Sequence, residues 1–412
     1  MINTKIKPAC RSCGHTGLLP VLSLGSMPLA NALLTPEELD KPEEIFPLDV
    51  VFCPECSLVQ ITETVPPQKL FGEYLYFSSV SDTVVQNAAE ITKRLISTRH
   101  LDNNSLVVEP ASNDGYLLQF YQQKGIRVLG IEPAANIAKV AREEKGIPTL
   151  CEFFGEKLAL QLRERGERAD VIHGCNVLAH VADTNGFVQG IKILLKDNGV
   201  AVIEVPYVKD LIDHYEFDTI YHEHLCYFSL TAVDRLFRRH GLIVQDVERI
   251  PIHGGTLRLF VTHDTERPGS NVLNLLDEEE KAGMDRIEFY RSFGQRVETL
   301  KSSLRNTLFK LKKEGKRLAA YGAAAKGTVL LNYFGIGPDI LDFVVDRSPY
   351  KQGRYVPGVR LPIYPIEKLQ QDKPDYTLLL VWNIANEVLK QQVEYQREGG
   401  KFIVPIPEVE II

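Results

Sequence analysis

No stretch of this sequence is apolar for long enough to cross a bilayer. The longest hydrophobic runs, such as TLLLVW (377–382), suit a buried strand and fall well short of a span. MINTKIKPAC, the first ten residues, lacks the apolar core of an export signal, so the expectation is a cytoplasmic protein with no membrane partner. An excess of basic residues is missing too. Lys and Arg number 47 against 54 Asp and Glu, a net charge of −7, and no basic stripe offsets it. That excludes a general nucleic-acid binder. Repeats and low-complexity tracts are absent. The seven cysteines are an odd number, and without an export signal they point to reduced thiols or metal ligands rather than a disulfide framework.

What is present is an ordinary globular mix, 44% hydrophobic and 25% charged, over 412 residues. That length exceeds what one core can organise and predicts two or three domains. Residues 1–70 hold short proline-rich segments and four of the cysteines. From 105 to 263 short apolar runs alternate with helical periods. Strands are expected at 105–110, 127–132, 169–176, 199–206, 242–250 and 256–263, with helices at 115–124 and 134–146, the latter closed by Gly146. Such alternation reads as a parallel, doubly wound α/β sheet. Residues 276–315 are charged and helix-prone, and predict one long connecting helix. A shorter α/β pattern follows, with strands at 317–323, 340–346, 376–382 and 401–407.

Cys10-Arg-Ser-Cys13 and Cys53-Pro-Glu-Cys56 are two C-x2-C pairs. Each supplies two thiolates from a tight knuckle, with Gly14 and Pro54 as turn formers, and two knuckles close a tetrahedral Zn²⁺ site. The interval between the pairs is longer than a compact zinc ribbon uses. His15 is a competing ligand, but four thiolates saturate the metal. The ion is expected to be structural, because no position stays open for a reactant.

EPASNDGYLL (109–118) joins the first strand of the α/β region to its helix. Glu109 ends the strand, small polar residues form the turn, and Gly115 lets the backbone approach a ligand. The spaced glycines of G-x-G-x-x-G are absent, so this is not the dinucleotide fingerprint. Glu132 ends the next strand, where a carboxylate can accept hydrogen bonds from a ribose diol. Taken alone, an acidic strand end serves as readily as a helix N-cap or a surface charge. In combination with the loop, the pattern resembles S-adenosylmethionine binding in class I methyltransferases. That likeness implies Glu109, Asn113, Asp114 and Gly115 around the methionine portion, Glu132 and Pro133 at the ribose, Glu152 and Phe153 at the adenine, and Asn176 beside the reactive end.

YHEHLCYF (221–228) crowds two histidines, a glutamate and two tyrosines together. Alone it reads as well as a solvated loop. A metal site is disfavoured, because H-E-H lacks the i, i+4 spacing of H-E-x-x-H. If the segment is extended, His222 and His224 share a face; if it is helical, Tyr221 and His224 meet.

The ordered set of the cysteine module, YLYFSSVSD (74–82), EPASNDG, NVLAHV (176–181), YHEH, HGGTLRLF (253–260), YGAAAKG (321–327) and VVDRSPYKQGRYVPG (344–358) resembles the sugar C-methyltransferases of deoxysugar and branched-sugar pathways over essentially the full chain. The resemblance implies a zinc-binding module at 1–70, a class I methyltransferase core at 71–270, and at 271–412 a linker helix with a second, smaller Rossmann-like domain. It implies S-adenosylmethionine as methyl donor and a nucleotide-diphosphate keto-sugar, dTDP-linked, as substrate, methylated at ring carbon C-3 or C-5. The protein would be a monomer or small homo-oligomer.

Forming a C–C bond from a sulfonium methyl requires a carbon nucleophile, made by removing the proton beside a ketone and stabilising the enolate. Histidine has the suitable pKa. The resemblance assigns the base to His224, with Glu223 orienting neighbours, Tyr221 donating to a sugar oxygen, His180 holding the enolate, and Tyr76 (or Tyr74) completing the site. In the C-terminal region the small-residue turn with Tyr321, Gly322 and Lys326, together with Asp346, is expected to hold the diphosphate. That turn would also serve plain strand–helix packing. Competing functions are methyl transfer to a sugar oxygen or nitrogen, an oxidoreductase using the C-terminal unit for NAD, and a zinc-ribbon adaptor.

Overall fold

A computed structural model describes residues 8–71, 76–252, 254–264 and 267–412; Tyr74 of YLYF and His253 of HGGTLRLF lie outside the described residues. The N-terminal module contains β1 (Leu19–Pro28), β2 (Ile45–Phe52) and β3 (Val59–Ile61), paired antiparallel in that order. Next come β4 (Leu106–Pro110), β5 (Arg127–Ile131), β6 (Thr149–Leu150), β7 (Ala169–Cys175), β8 (Leu195–Pro206), β9 (Cys226–Tyr227), β10 (Leu242–Ile250) and β11 (Thr256–His263). All but β9 form one sheet, ordered β10-β11-β8-β7-β4-β5-β6. Every residue of β4 is buried, as expected of a central strand covered on both faces. The strand order reverses between β4 and β7, so the loops after them, EPASNDG and CNVLAHV, open side by side where such sheets take ligands.

The sheet is mixed rather than wholly parallel. β11 runs antiparallel to both β10 and β8. Only residues 251–255 separate β10 from β11, and a parallel crossover needs a dozen residues or more, so the link must be a hairpin. The long connecting helix is also broken. One helix spans Ser270–Ala282, Gly283 adopts a left-handed φ of 75°, and a second long helix spans Phe293–Lys313. A left-handed glycine closes a helix and redirects the chain.

β9 departs from the central sheet and pairs antiparallel with β3, placing Tyr227 opposite Val59 and Cys226 opposite Gln60. The end of YHEHLCYF is therefore the fourth strand of the cysteine module. The C-terminal sheet holds β12 (Leu318–Tyr321), β13 (Val344–Val345), β14 (Ile363–Tyr364), β15 (Tyr376–Leu379), β16 (Lys401–Val404) and β17 (Glu410–Ile411), ordered β14-β13-β12-β15-β16-β17 and parallel except for the last pairing. One continuous apolar core joins the module (Phe52, Leu58), one face of the central sheet (Ile172, Ile203) and the C-terminal region (Leu331, Ile403). Among the described residues no helix is long and apolar enough to cross a membrane.

Candidate active site

The four predicted metal ligands converge. Cys10 Sγ lies 3.4 Å from Cys56 Sγ, Cys13 Sγ lies 3.5 Å from Cys53 Sγ, and all four are within 4.8 Å of one another. A tetrahedron of Zn–S bonds of about 2.3 Å has edges of about 3.8 Å, so the set fits one zinc ion. The two knuckles are built alike. The fourth residue after each leading cysteine is left-handed, Gly14 at φ 79° and Ser57 at φ 64°, and its N–H donates to the Cys10 or Cys53 carbonyl at 2.9 Å. Pro54 opens the turn of the second knuckle, and Ser57 closes it in the left-handed position. His15 is outside the cluster.

His224 sits just beyond a three-residue turn, Phe217–Thr219. Its Nδ1 is 2.7 Å from the carbonyl oxygen of Thr219, which can only accept, so Nδ1 carries the hydrogen. Nε2 is then a lone pair, and the Tyr221 hydroxyl donates to it at 2.7 Å. The sugar-directed donor expected at Tyr221 is, in this geometry, aimed at the His224 ring. His180 stands edge-on to His224, ring centres 4.7 Å apart, brought there by the bond from Leu225 N–H to the Ala179 carbonyl at 2.7 Å. Burial pulls the His180 pKa down to about 4, so it is a neutral ring at physiological pH.

His222 points the other way. Its Nε2 lies 3.2 Å from both the Phe46 and the Pro47 carbonyls, and its ring meets that of Phe46, so it tethers the loop to β2. Glu223 is buried and accepts from Asn31 Nδ2 at 2.6 Å. Asn31 had no signal in the sequence, because the contact spans 192 positions.

At the β4 end, Glu109 is fully buried and neither carboxylate oxygen has a hydrogen-bond partner. Burial, and then the charges of Asp114, Glu132 and Glu204, push its pKa well up. Asp114 Oδ2 accepts the Ser79 hydroxyl and pairs with the Lys145 ammonium at 3.1 Å, while its Oδ1 and Asn176 Oδ1 are further buried acceptors without hydrogen-bond partners. Unsatisfied buried acceptors are costly. S-adenosylmethionine carries an ammonium and a sulfonium, and these residues fit it. Gly115 has φ 77°, and a Cβ there would meet Ile147 at 2.8 Å, so the loop requires glycine. Asn113 is occupied differently from expectation. Its side chain accepts from Ser78 N–H and donates to the Tyr76 carbonyl, clasping the segment that holds Tyr76. Tyr76 is exposed along part of its side chain, but burial of its hydroxyl, and then the Asp114 charge, raise its pKa, with Ser78 as hydrogen-bond partner. Glu152 and Phe153 past β6 are exposed, and Pro133 follows Glu132 directly.

Glu132 accepts from the N–H groups of Asn113 and Ala134, one on each oxygen, leaving each a second lone pair for a ribose hydroxyl. Burial raises its pKa to about 7 despite those bonds. A cationic cofactor favours the ionised form, and protons compete with it. Affinity for S-adenosylmethionine should therefore weaken as pH falls through about 7, by up to about tenfold per unit. Calorimetric titration from about pH 6 to about pH 8 checks this. Glu132→Gln should flatten the dependence near neutrality, and a pH-independent wild-type affinity would refute it.

In the C-terminal sheet, Gly322 follows β12 directly at φ 95°, where a Cβ would meet Val381 at 2.5 Å. Asp346 accepts from the Ala323 and Ser348 N–H groups, both at 2.8 Å, and so binds two loops together. Tyr321 is buried in the small core with Phe343 and Val345. Lys326 does not present a free charge to a diphosphate. It donates to Asn383 Oδ1 at 3.0 Å, lies 4.8 Å over the Trp382 ring, and feels the buried carboxylates Asp218 and Glu216.

Family comparisons match successive stretches of the chain: a domain described as zinc binding at residues 10–71, a methyltransferase domain at 85–247 and a C-methyltransferase C-terminal domain at 251–407. The chain is 38% identical to the C-methyltransferase NovU of Streptomyces niveus over 408 residues, covering 98% of this chain and 96% of that one. A ubiquinone biosynthesis O-methyltransferase of Bartonella quintana (strain Toulouse) is 27% identical over 100 residues, 24% of this chain and 40% of its own. A solved S-adenosylmethionine-dependent methyltransferase from Clostridium acetobutylicum ATCC 824 aligns with TM-score 0.36 at 11% identity, covering 43% of this chain and 92% of that one.

Proposed function

The chain belongs to the C-methyltransferase family and depends on S-adenosylmethionine, and from that premise we propose that it methylates the carbon beside the ketone of a nucleotide-linked keto-deoxysugar, dTDP-linked, by way of an enolate. The observation that supports this most directly is the Tyr221–His224 pair, with its tautomer pinned by the Thr219 carbonyl. His224 Nε2 takes the proton from the ring carbon, the C–H electrons become the C=C bond, and the ketone oxygen takes the charge. His180, neutral and adjacent, donates to that oxygen. When bound, the cofactor supplies an electrophilic methyl group on sulfur. Glu109, Asp114 and Asn176 hold its positive end, and Glu132 its ribose. The parallel C-terminal strands, with a glycine turn after β12, offer the nucleotide a site of the usual α/β kind.

The test is release of S-adenosylhomocysteine when a dTDP-linked keto-deoxysugar is added, with the methyl position read by NMR. Product methylated on a ring carbon is the expected result. Methylation on oxygen, or no turnover with any keto-sugar, would sink the reading.

A further inference from the structure

The carbonyl that pins His224 belongs to a turn whose surroundings come from the C-terminal domain. Phe217 stacks on Phe334 at 4.8 Å between ring centres and 21° between planes, and lies 5.7 Å from Tyr333. Both partners end the helix Ala325–Phe334. Asp218 is fully buried, and its Oδ2 accepts the Trp382 indole N–H at 2.8 Å. Thr219, whose carbonyl faces His224, sends its own hydroxyl back to the Glu216 carbonyl at 2.7 Å. Lys326 lies over the indole and bonds Asn383, next to Trp382 in the chain. The charged groups facing Asp218 are Lys326 and Glu216, with Asp210 beyond Glu216.

A buried carboxylate with one oxygen unpartnered is an expensive way to hold a three-residue turn. Apolar packing of Phe217 could fix the position of the turn without it. The carboxylate adds direction, because the indole N–H defines the rotation of the turn about the Phe217 stack. That rotation in turn aims the Thr219 carbonyl at Nδ1. We propose that Trp382 and Asp218 are positioning residues for His224: through the indole–carboxylate bond the C-terminal domain holds the 217–219 turn so that the Thr219 carbonyl keeps His224 in the tautomer with a basic Nε2. The inference rests on His224 being the base. It gives the C-terminal domain a part in proton abstraction, apart from any contact with the nucleotide. Neither residue touches the reacting atoms.

Trp382→Phe keeps the ring, and with it the seat for the Lys326 ammonium, but removes the N–H. The expected result is a kcat lower by about tenfold to a hundredfold, as for small misplacements of a catalytic group. KM for the keto-sugar and affinity for S-adenosylmethionine should be unchanged. The ¹⁵N shifts of the His224 ring should move from one tautomer to a mixture. Asp218→Asn, which retains an acceptor for the indole, should stay closer to wild type than Asp218→Ala and covers the case that Trp382→Phe does not fold. If Trp382→Phe and Asp218→Ala keep kcat and the His224 spectrum while His224→Asn abolishes deuterium exchange beside the ketone, the positioning role is wrong and the base assignment stands. A Trp382→Phe effect confined to KM would also overturn it. Exchange surviving in His224→Asn would instead remove the base assignment beneath it.

Discussion

A His224→Asn protein is expected to bind S-adenosylmethionine and zinc normally and to lose methyl transfer by about 10²- to 10⁴-fold, the usual worth of a general base. The substitution is chosen for its geometry. An asparagine amide can still donate toward the Thr219 carbonyl that now receives Nδ1–H, so the local fold has a reason to persist. It offers no basic lone pair in place of Nε2. Deuterium exchange at the carbon beside the ketone, followed without methyl transfer, should vanish with it, because exchange needs only the proton-abstraction half of the reaction. Tyr221→Phe is the informative companion. It frees the Nε2 lone pair that the hydroxyl now occupies at 2.7 Å, and should be less damaging than His224→Asn. Normal exchange in His224→Asn would move the base elsewhere. A Tyr221→Phe protein as inactive as His224→Asn would make the phenol an obligatory relay.

Stripping zinc is expected to cost as much activity as losing the base, although no thiolate approaches the reacting carbon. The knuckle of Cys53 and Cys56 is the connection between β2 and β3. β3 pairs with β9, which begins two residues after His224, and the Ile61 N–H also takes the Leu225 carbonyl at 3.0 Å. On the other side of the loop His222 bonds to β2 and Glu223 to Asn31. Structural zinc contributes roughly 10–16 kcal/mol in zinc-finger peptides near neutral pH, enough to decide whether so small a module is ordered. With the hairpin loosened, the strand that aims His224 loses its partner. The central sheet, whose cofactor loops depend on β4, β5 and β7, should remain. Chelation, or Cys53→Ser, should therefore abolish turnover and raise amide exchange over residues 222–228 while S-adenosylmethionine still binds. Full turnover in protein shown to be metal-free would overturn this, and so would parallel loss of cofactor binding.

The parts of the site that were legible in the sequence are those whose chemistry is local. C-x2-C places two thiolates on one turn whatever surrounds it, and the knuckles formed as their spacing implied. Apolar runs marked most of the strands, and Glu109 and Glu132 fell at strand ends because acidic residues rarely interrupt a buried strand elsewhere. The misreadings are equally physical. β10 and β11 looked like two more parallel strands until the five-residue link between them is considered as a distance. The charged run at 276–315 concealed a break, because one left-handed glycine outweighs the helical propensity around it.

What the sequence determined by itself was composition-level and local: the cysteine cluster, strand positions, and a small-residue turn after the first buried strand. What only the tertiary structure decided was how the histidines of YHEH divide their work. His224 faces Tyr221, Thr219 and His180, whereas His222 is used up on β2, 175 residues or more away. Lys326, which local reasoning assigned to an anion, is turned inward toward Asp218 and Glu216. The role of a polar side chain follows from which partners satisfy it once it is buried; those of His222 and Lys326 arrive from elements over a hundred residues distant, beyond the reach of any local pattern.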